Sequence, residues 1–332
     1  MPKNIIKLDL TRQLELGKND IFFESIEHVT EDHTGKFYVL DKRAYKVYKF
    51  SKDGSLMLKF GNKGQGPGDF ISPHKIHIND DGGIIVCELS NFVSVFGKHG
   101  KFRHWIKEPT GIDLHYLNNN LFYVWTWTPE GKKQSLVNRS GKTKKTFYSV
   151  SRKDFSINVT DEKGNAVMFN FFTEEYSPFL LFDRYRDHSV IGVSNKYEFV
   201  LINENGDILR KISRDIKPGT ISKKEKECFK DVINSKKHLT DTLKKKFIRK
   251  IPRHKNYIRH ILISEKHIWI FRIKENVLTD KVIPVDIYSL EGKFIGTAKI
   301  KDVPIFISTK YIYFSESDKD DDLLLVRYNY NI

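Results

Sequence analysis

The chain has 332 residues, and 57 Lys and Arg against 42 Asp and Glu give it a formal charge of +15. Hydrophobic residues make up 39% and aromatics 13%, enough for a packed core, which excludes a low-complexity disordered chain. No run approaches the roughly 18 apolar residues of a membrane-spanning helix, and two cysteines, Cys87 and Cys228, cannot staple a chain this long.

The first segment, Ile5 to Leu16, reads as a strand. Lys3, Lys7, Asp9 and Arg12 interrupt its start, so the uninterrupted apolar core of a secretory leader, about 7–15 residues, is missing. A cytoplasmic protein is expected from the chain as written, and an exported or periplasmic one if a leader has been removed. Six short aromatic and β-branched runs then recur: Phe37 to Leu40, Ile84 to Cys87, Phe122 to Trp125, Val190 to Val193, Ile268 to Phe271 and Tyr311 to Phe314. They suit buried pleated strands and are too short for helices. Five are followed by a strand pair around a glycine turn, at Gly54, Gly100, Gly141, Gly206 and Gly292, where Gly supplies the positive φ of a tight hairpin without steric cost.

A period of roughly 40–50 residues with about four short strands per unit is the signature of a β-propeller. The sixth unit runs out of chain after Leu323 to Tyr330 and lacks an outer strand. Pairing the N-terminal segment there closes the ring and hides an open sheet edge. The expected fold is all-β: a single six-bladed β-propeller domain over 1–332, closed by an N-terminal strand in the last blade, with one helical insertion between blades 4 and 5. Blade 1 is placed at about 20–60, blade 2 at 71–107, blade 3 at 110–150 and blade 4 at 155–212. The helical insertion follows at 217–254, blade 5 at 256–300, and blade 6 at 303–332 with the closing strand 4–16.

Between blades 1 and 2 stands Phe60-Gly61-Asn62-Lys63-Gly64-Gln65-Gly66-Pro67-Gly68-Asp69-Phe70, then Ser72-Pro73. This run resembles the inter-blade linker of NHL-repeat-like six-bladed β-propellers. Gly35 to Asp41 upstream is similar to the family's strand ending in Asp, and Val285 to Gly292 to its later-blade hairpin. The resemblance implies a bacterial propeller of unassigned function, of a kind often exported or lipid-anchored.

Residues 209–255 carry 17 Lys or Arg and 5 Asp or Glu. Phe229, Ile233, Leu239, Leu243, Phe247 and Ile251 form an apolar stripe, the last four at i, i+4 spacing, which predicts one or two amphipathic helices packed on the propeller with lysines facing water. The alternative use is a contact with an anionic surface through Lys244, Lys245, Lys246 and Arg249. Nucleic-acid readers interleave aromatics with their basic residues, and here both phenylalanines fall on the apolar stripe, which disfavours nucleic acid as partner.

Linear catalytic motifs fail on their requirements. Ser140-Gly141-Lys142-Thr143 ends like a P-loop, but Leu136 occupies the position of the first Gly. The glycines of the linker have the wrong spacing for a dinucleotide site. His74 and His77, three apart, are expected on opposite faces of a strand, and neither H-E-x-x-H nor C-x-x-C occurs. Asp318, Asp320 and Asp322 lack the glycine and terminal Glu of a calcium loop and suit a hairpin tip. Trp127 is expected to extend the packed face of Trp125 rather than to stand exposed.

A propeller can still build a site where its inner strands begin around the axis. Counting back from the repeated strands places Glu27, His74, Asp113 and Arg259 at the channel mouth. The expectation is a monomeric, non-enzymatic scaffold recognising a protein, peptide or glycan ligand, with no catalytic residue, metal or cofactor. The alternative is a metal-dependent hydrolase or lyase, lactonase-like or amidating-lyase-like, with Ca²⁺ in the channel.

Overall fold

The computed structural model describes residues 4–18, 21–89, 92–107, 113–118, 121–154, 156–170 and 175–332. Among these, the strands form six four-stranded antiparallel sheets and one separate two-stranded hairpin. Five sheets take their strands in chain order: blade 1 over 28–60, blade 2 over 73–107, blade 3 over 113–151, blade 4 over 180–213 and blade 5 over 258–300. Blade 6 draws three strands from 306–331, and its outermost strand is Asp9–Leu16, antiparallel to Leu323–Asn331. The chain is a six-bladed β-propeller, and its N-terminal strand closes the ring. No described helix is long and apolar enough to cross a membrane.

Alternation along the strands explains the ring. The second strands are buried on both faces; Phe37–Asp41 and Ile84–Glu88 are buried throughout. Each face therefore needs a neighbouring sheet, and adjacent blades share clusters of large side chains. Tyr38, Leu40 and Val47 of blade 1 meet Ile76, Ile84 and Phe96 of blade 2. Phe37 meets Tyr313 of blade 6, with ring centroids 5.6 Å apart. Flat aromatic rings fill these wedges with large apolar area.

In blades 1 and 2 the strand-terminal acids brace the chain as it enters the blade. Asp41 accepts the backbone N–H groups of Glu24, Ser25 and Ala44, and Glu88 those of Ile71 and Ser72. In the linker, Phe70 is fully buried and packs so close to Gly61 (φ 93°) that a Cβ there would lie 2.3 Å from its ring. The Phe-Gly pair is thus dictated by close approach and by a left-handed backbone.

The region before blade 4 departs from the expected span of 155–212. Ser156–Thr160 and Ala166–Asn170 form the separate hairpin, and the blade's own strands begin at Leu180. The reason lies in the insertion. Helix α1 (Lys223–Asn234) is capped by a reciprocal Ser222–Glu225 box and helix α2 (Asp241–Arg249) by Thr240. Their stripe of Ile233, Leu239, Leu243 and Phe247 is buried against Val159 and Val167 of the hairpin. The hairpin is therefore a platform for the helices rather than a part of the blade. Glu225 and Lys255, both buried, pair at 2.7 Å, and Lys255 also donates to the carbonyls of Lys274 and Glu275 beyond the second strand of blade 5. Burial raises the Glu225 carboxyl, but its hydrogen bonds with Lys255 and Ser222 outweigh that and hold it down to about 2.

Candidate functional site

The innermost strands are His28–Glu31, Pro73–Ile78, Asp113–Asn118, Leu180–Tyr185, Ile258–Ile263 and Phe306–Ile307. Each has one unpaired edge, turned to the axis, where backbone groups need partners from elsewhere. Side chains of neighbouring blades supply several. His28 Nδ1 accepts from the Ile76 N–H at 3.5 Å, and the Asp183 carboxylate from the Ile263 N–H at 2.8 Å. Arg184 donates to the Tyr116 carbonyl, and Gln134 Nε2 to the Leu181 carbonyl at 3.0 Å.

These bonds draw a set of titratable side chains to the centre. The rings of His28 and His77 stand 6.2 Å apart, and those of His74 and His115 6.4 Å apart. His115 lies against Phe182, 3.9 Å between ring centroids. Burial, then the positive charge of Lys75, drives His28 well below the usual imidazole range. Burial and the field of Arg184 do the same to His77. His260 is lowered to about 4 by burial, then by Lys75 and Arg259. Asp183 moves the other way, raised to about 7 by burial, with its Ile263 bond and Lys75 pulling back. Histidine is the side chain most easily moved across neutral pH, and here burial and nearby cations disfavour the charged form of His28, His77 and His260.

Lys75 is the charge these groups have in common, after burial. It acts on His28 of blade 1, His77 of its own blade, Asp183 of blade 4 and His260 of blade 5. A single ammonium within reach of groups on four blades must lie near the axis, because such interactions fade quickly with distance. Among the described residues Lys75 makes neither a hydrogen bond nor a close ion pair. His28, Lys75, His77, Asp183 and His260 are all half-buried, so solvent reaches them along the channel. The buried Nε2 of His77 has no hydrogen-bond partner. Among the described residues, no three of His, Cys, Asp and Glu stand together as a metal-ligand set.

The residues singled out in the sequence are distributed as follows. Glu27 is exposed, immediately before the inner strand of blade 1, and pairs with Lys42 at 3.4 Å. His74 is buried, facing His115, and Arg259 is half-buried beside His260. Asp113 begins the inner strand of blade 3, and its side chain lies outside the described residues. On blades 1, 2 and 5 the axial groups His28, Lys75 and His260 each follow a selected residue by one position. Register shifts at Pro73/Lys75 and Ile258/His260 decide which residue faces inward. Histidines seven to ten positions before the repeated strands of blades 1, 2, 3 and 5 were the available signal.

On the insertion, Lys246 donates to the Thr160 carbonyl at 2.6 Å and Lys244 is half-buried near Asp241, while Lys245 and Arg249 are exposed. Two of the four basic residues thus serve local packing. Trp127 corrects its expectation: it is 51% exposed, with the Lys132 ammonium 4.8 Å from its ring centroid. Ser140 to Thr143 spans a hairpin turn in which Asn138 accepts the Lys142 N–H. Asp318 caps another turn through the N–H groups of Asp320 and Asp322.

A family model described as a 6-bladed beta-propeller, DUF5128, matches residues 14–176. A crystallised Bacteroides fragilis protein named as exported is 12% identical, with a TM-score of 0.61 over 98% of this chain and 96% of that one. A member of the DUF4221 family from Bacteroides vulgatus is 11% identical, with a TM-score of 0.52 over 98% and 99%. These support a six-bladed β-propeller fold. At such identities the solved structures speak for the fold alone. No curated protein matches the sequence.

Proposed function

We propose that the protein is a non-enzymatic binding scaffold that recognises its ligand, a protein, peptide or glycan, through the channel and its mouth. One observation carries the reading. Polar side chains from five blades, His28, Lys75, His77, His115, Asp183 and His260, are gathered at an axis that solvent reaches. A rigid ring holding a few convergent polar groups in a concave centre is what a preformed binding site requires. Glu27, His74 and Arg259 are assigned to the rim of this site, and Asp113 to the same tier of blade 3.

The test is a thermal-shift screen of the whole chain against peptide and glycan sets. Hits are then measured on Arg259→Ala and Lys75→Met. Ligands that stabilise the parent and lose that effect in the channel variants support the scaffold. Turnover of a lactone, ester or amidated peptide that His74→Ala abolishes would overturn the non-enzymatic reading.

A further inference from the structure

Resting on that reading, we infer that the axial channel binds a compact oxyanion, a carboxylate or phosphate group, at Lys75. The ammonium stands on the inner strand of blade 2, half-buried, within electrostatic reach of groups on blades 1, 4 and 5, and has no ion-pair partner among the described residues. A half-buried cation with no counter-charge among the described residues favours a small anion beside it. The surrounding groups are suited to the task. His28 of blade 1, His77 of blade 2, whose Nε2 has no hydrogen-bond partner, and His260 of blade 5 offer ring nitrogens, and the cations Arg184 and Arg259 stand beside His77 and His260. Among the described side chains, the carboxyl on which Lys75 acts is Asp183, whose charge is disfavoured by burial.

This arrangement couples binding to protons. A negative charge at Lys75 offsets the positive field that adds to burial in lowering the imidazoles, and it opposes ionisation of Asp183, so each group's affinity for a proton rises. The anion therefore enters with net proton uptake. Its affinity is highest in mild acid and falls as pH rises through about 7, where Asp183 ionises.

Inorganic phosphate and succinate are titrated calorimetrically into the intact protein at pH 6 and pH 8, in two buffers of different ionisation enthalpy. Expected are binding of at least one anion, buffer-dependent heats that report proton uptake, and affinity at least tenfold tighter at pH 6. Lys75→Met should weaken binding tenfold or more, and Lys245→Glu on the remote insertion should leave it unchanged. Binding of neither anion, heats independent of buffer, or binding lost with Lys245→Glu and kept with Lys75→Met overturns the inference. The proton-uptake measurement on the parent protein stands even if Lys75→Met does not fold. Failure here, alongside a neutral ligand whose binding needs Arg259, would sink the oxyanion inference and leave the scaffold reading intact.

Discussion

Replacing Asp183 with Asn should stabilise the protein, and only above acidic pH. The carboxyl is carried from an ordinary 3.8 to about 7, burial being the main cause, so ionising it in the channel opposes folding. The shift of about three units corresponds to a ceiling near 4 kcal/mol, since one unit is about 1.4 kcal/mol. Asn retains an oxygen able to accept the Ile263 N–H now bound at 2.8 Å, so the substitution removes charge without orphaning that donor. With allowance for solvent in the channel, the gain is about 2–4 kcal/mol at pH 8, or about 3–6 °C in Tm for a chain this size. The sign follows from linkage: the folded state binds the proton more tightly than the unfolded chain. The stability that Asp183 contributes is therefore full below about pH 4, declines toward pH 7 and is absent above it. Urea denaturation of both proteins from pH 4.5 to 8.5 should show a difference that grows with pH. A constant offset, or an Asn variant less stable than wild type at pH 8, would refute the reasoning.

Glu225→Ala leaves the buried Lys255 ammonium without its counter-charge and breaks the α1 cap, at a cost of about 3–5 kcal/mol. Hydrogen exchange across 217–255 should accelerate; unchanged protection would contradict the pairing. Because Glu225 is held at about 2 in the fold against 4.5 outside it, the pair's contribution should be lost only as pH falls through that interval. Gly17→Ala would force a side chain at φ 121° to within 2.3 Å of the Leu323 carbonyl oxygen, a strain of about 1–3 kcal/mol. Faster exchange confined first to Asp9–Leu16 is the expected signature. Lys245→Glu with Arg249→Glu should reduce retention on heparin at low salt without changing Tm, whereas Lys246→Glu should loosen the helices from the Thr160 hairpin and lower it.

The blade count and the closing strand were legible because both follow from local rules. Continuous apolar runs such as Phe37 to Leu40 need a sheet on either side, and a last unit without its outer strand needs one from elsewhere. The helices were legible for the same reason, from the spacing of Leu239, Leu243 and Phe247. Their platform was not. The pairing of Ser156–Thr160 with Ala166–Asn170 resembles any blade hairpin in sequence, and only contact with α2 assigns it to the insertion.

The channel marks the same division more sharply. Glu27, His74 and Arg259 stand one residue from His28, Lys75 and His260, because a side chain's face reverses at every position along a strand and a single bulge exchanges inner for outer. Composition and periodicity alone determined a ring of six sheets and its basic helical annex. The meeting of His28, Lys75, His77, Asp183 and His260, distant in sequence, was decided by tertiary structure. Their protonation depends on charges brought together from separate blades, and no window of the chain contains that information.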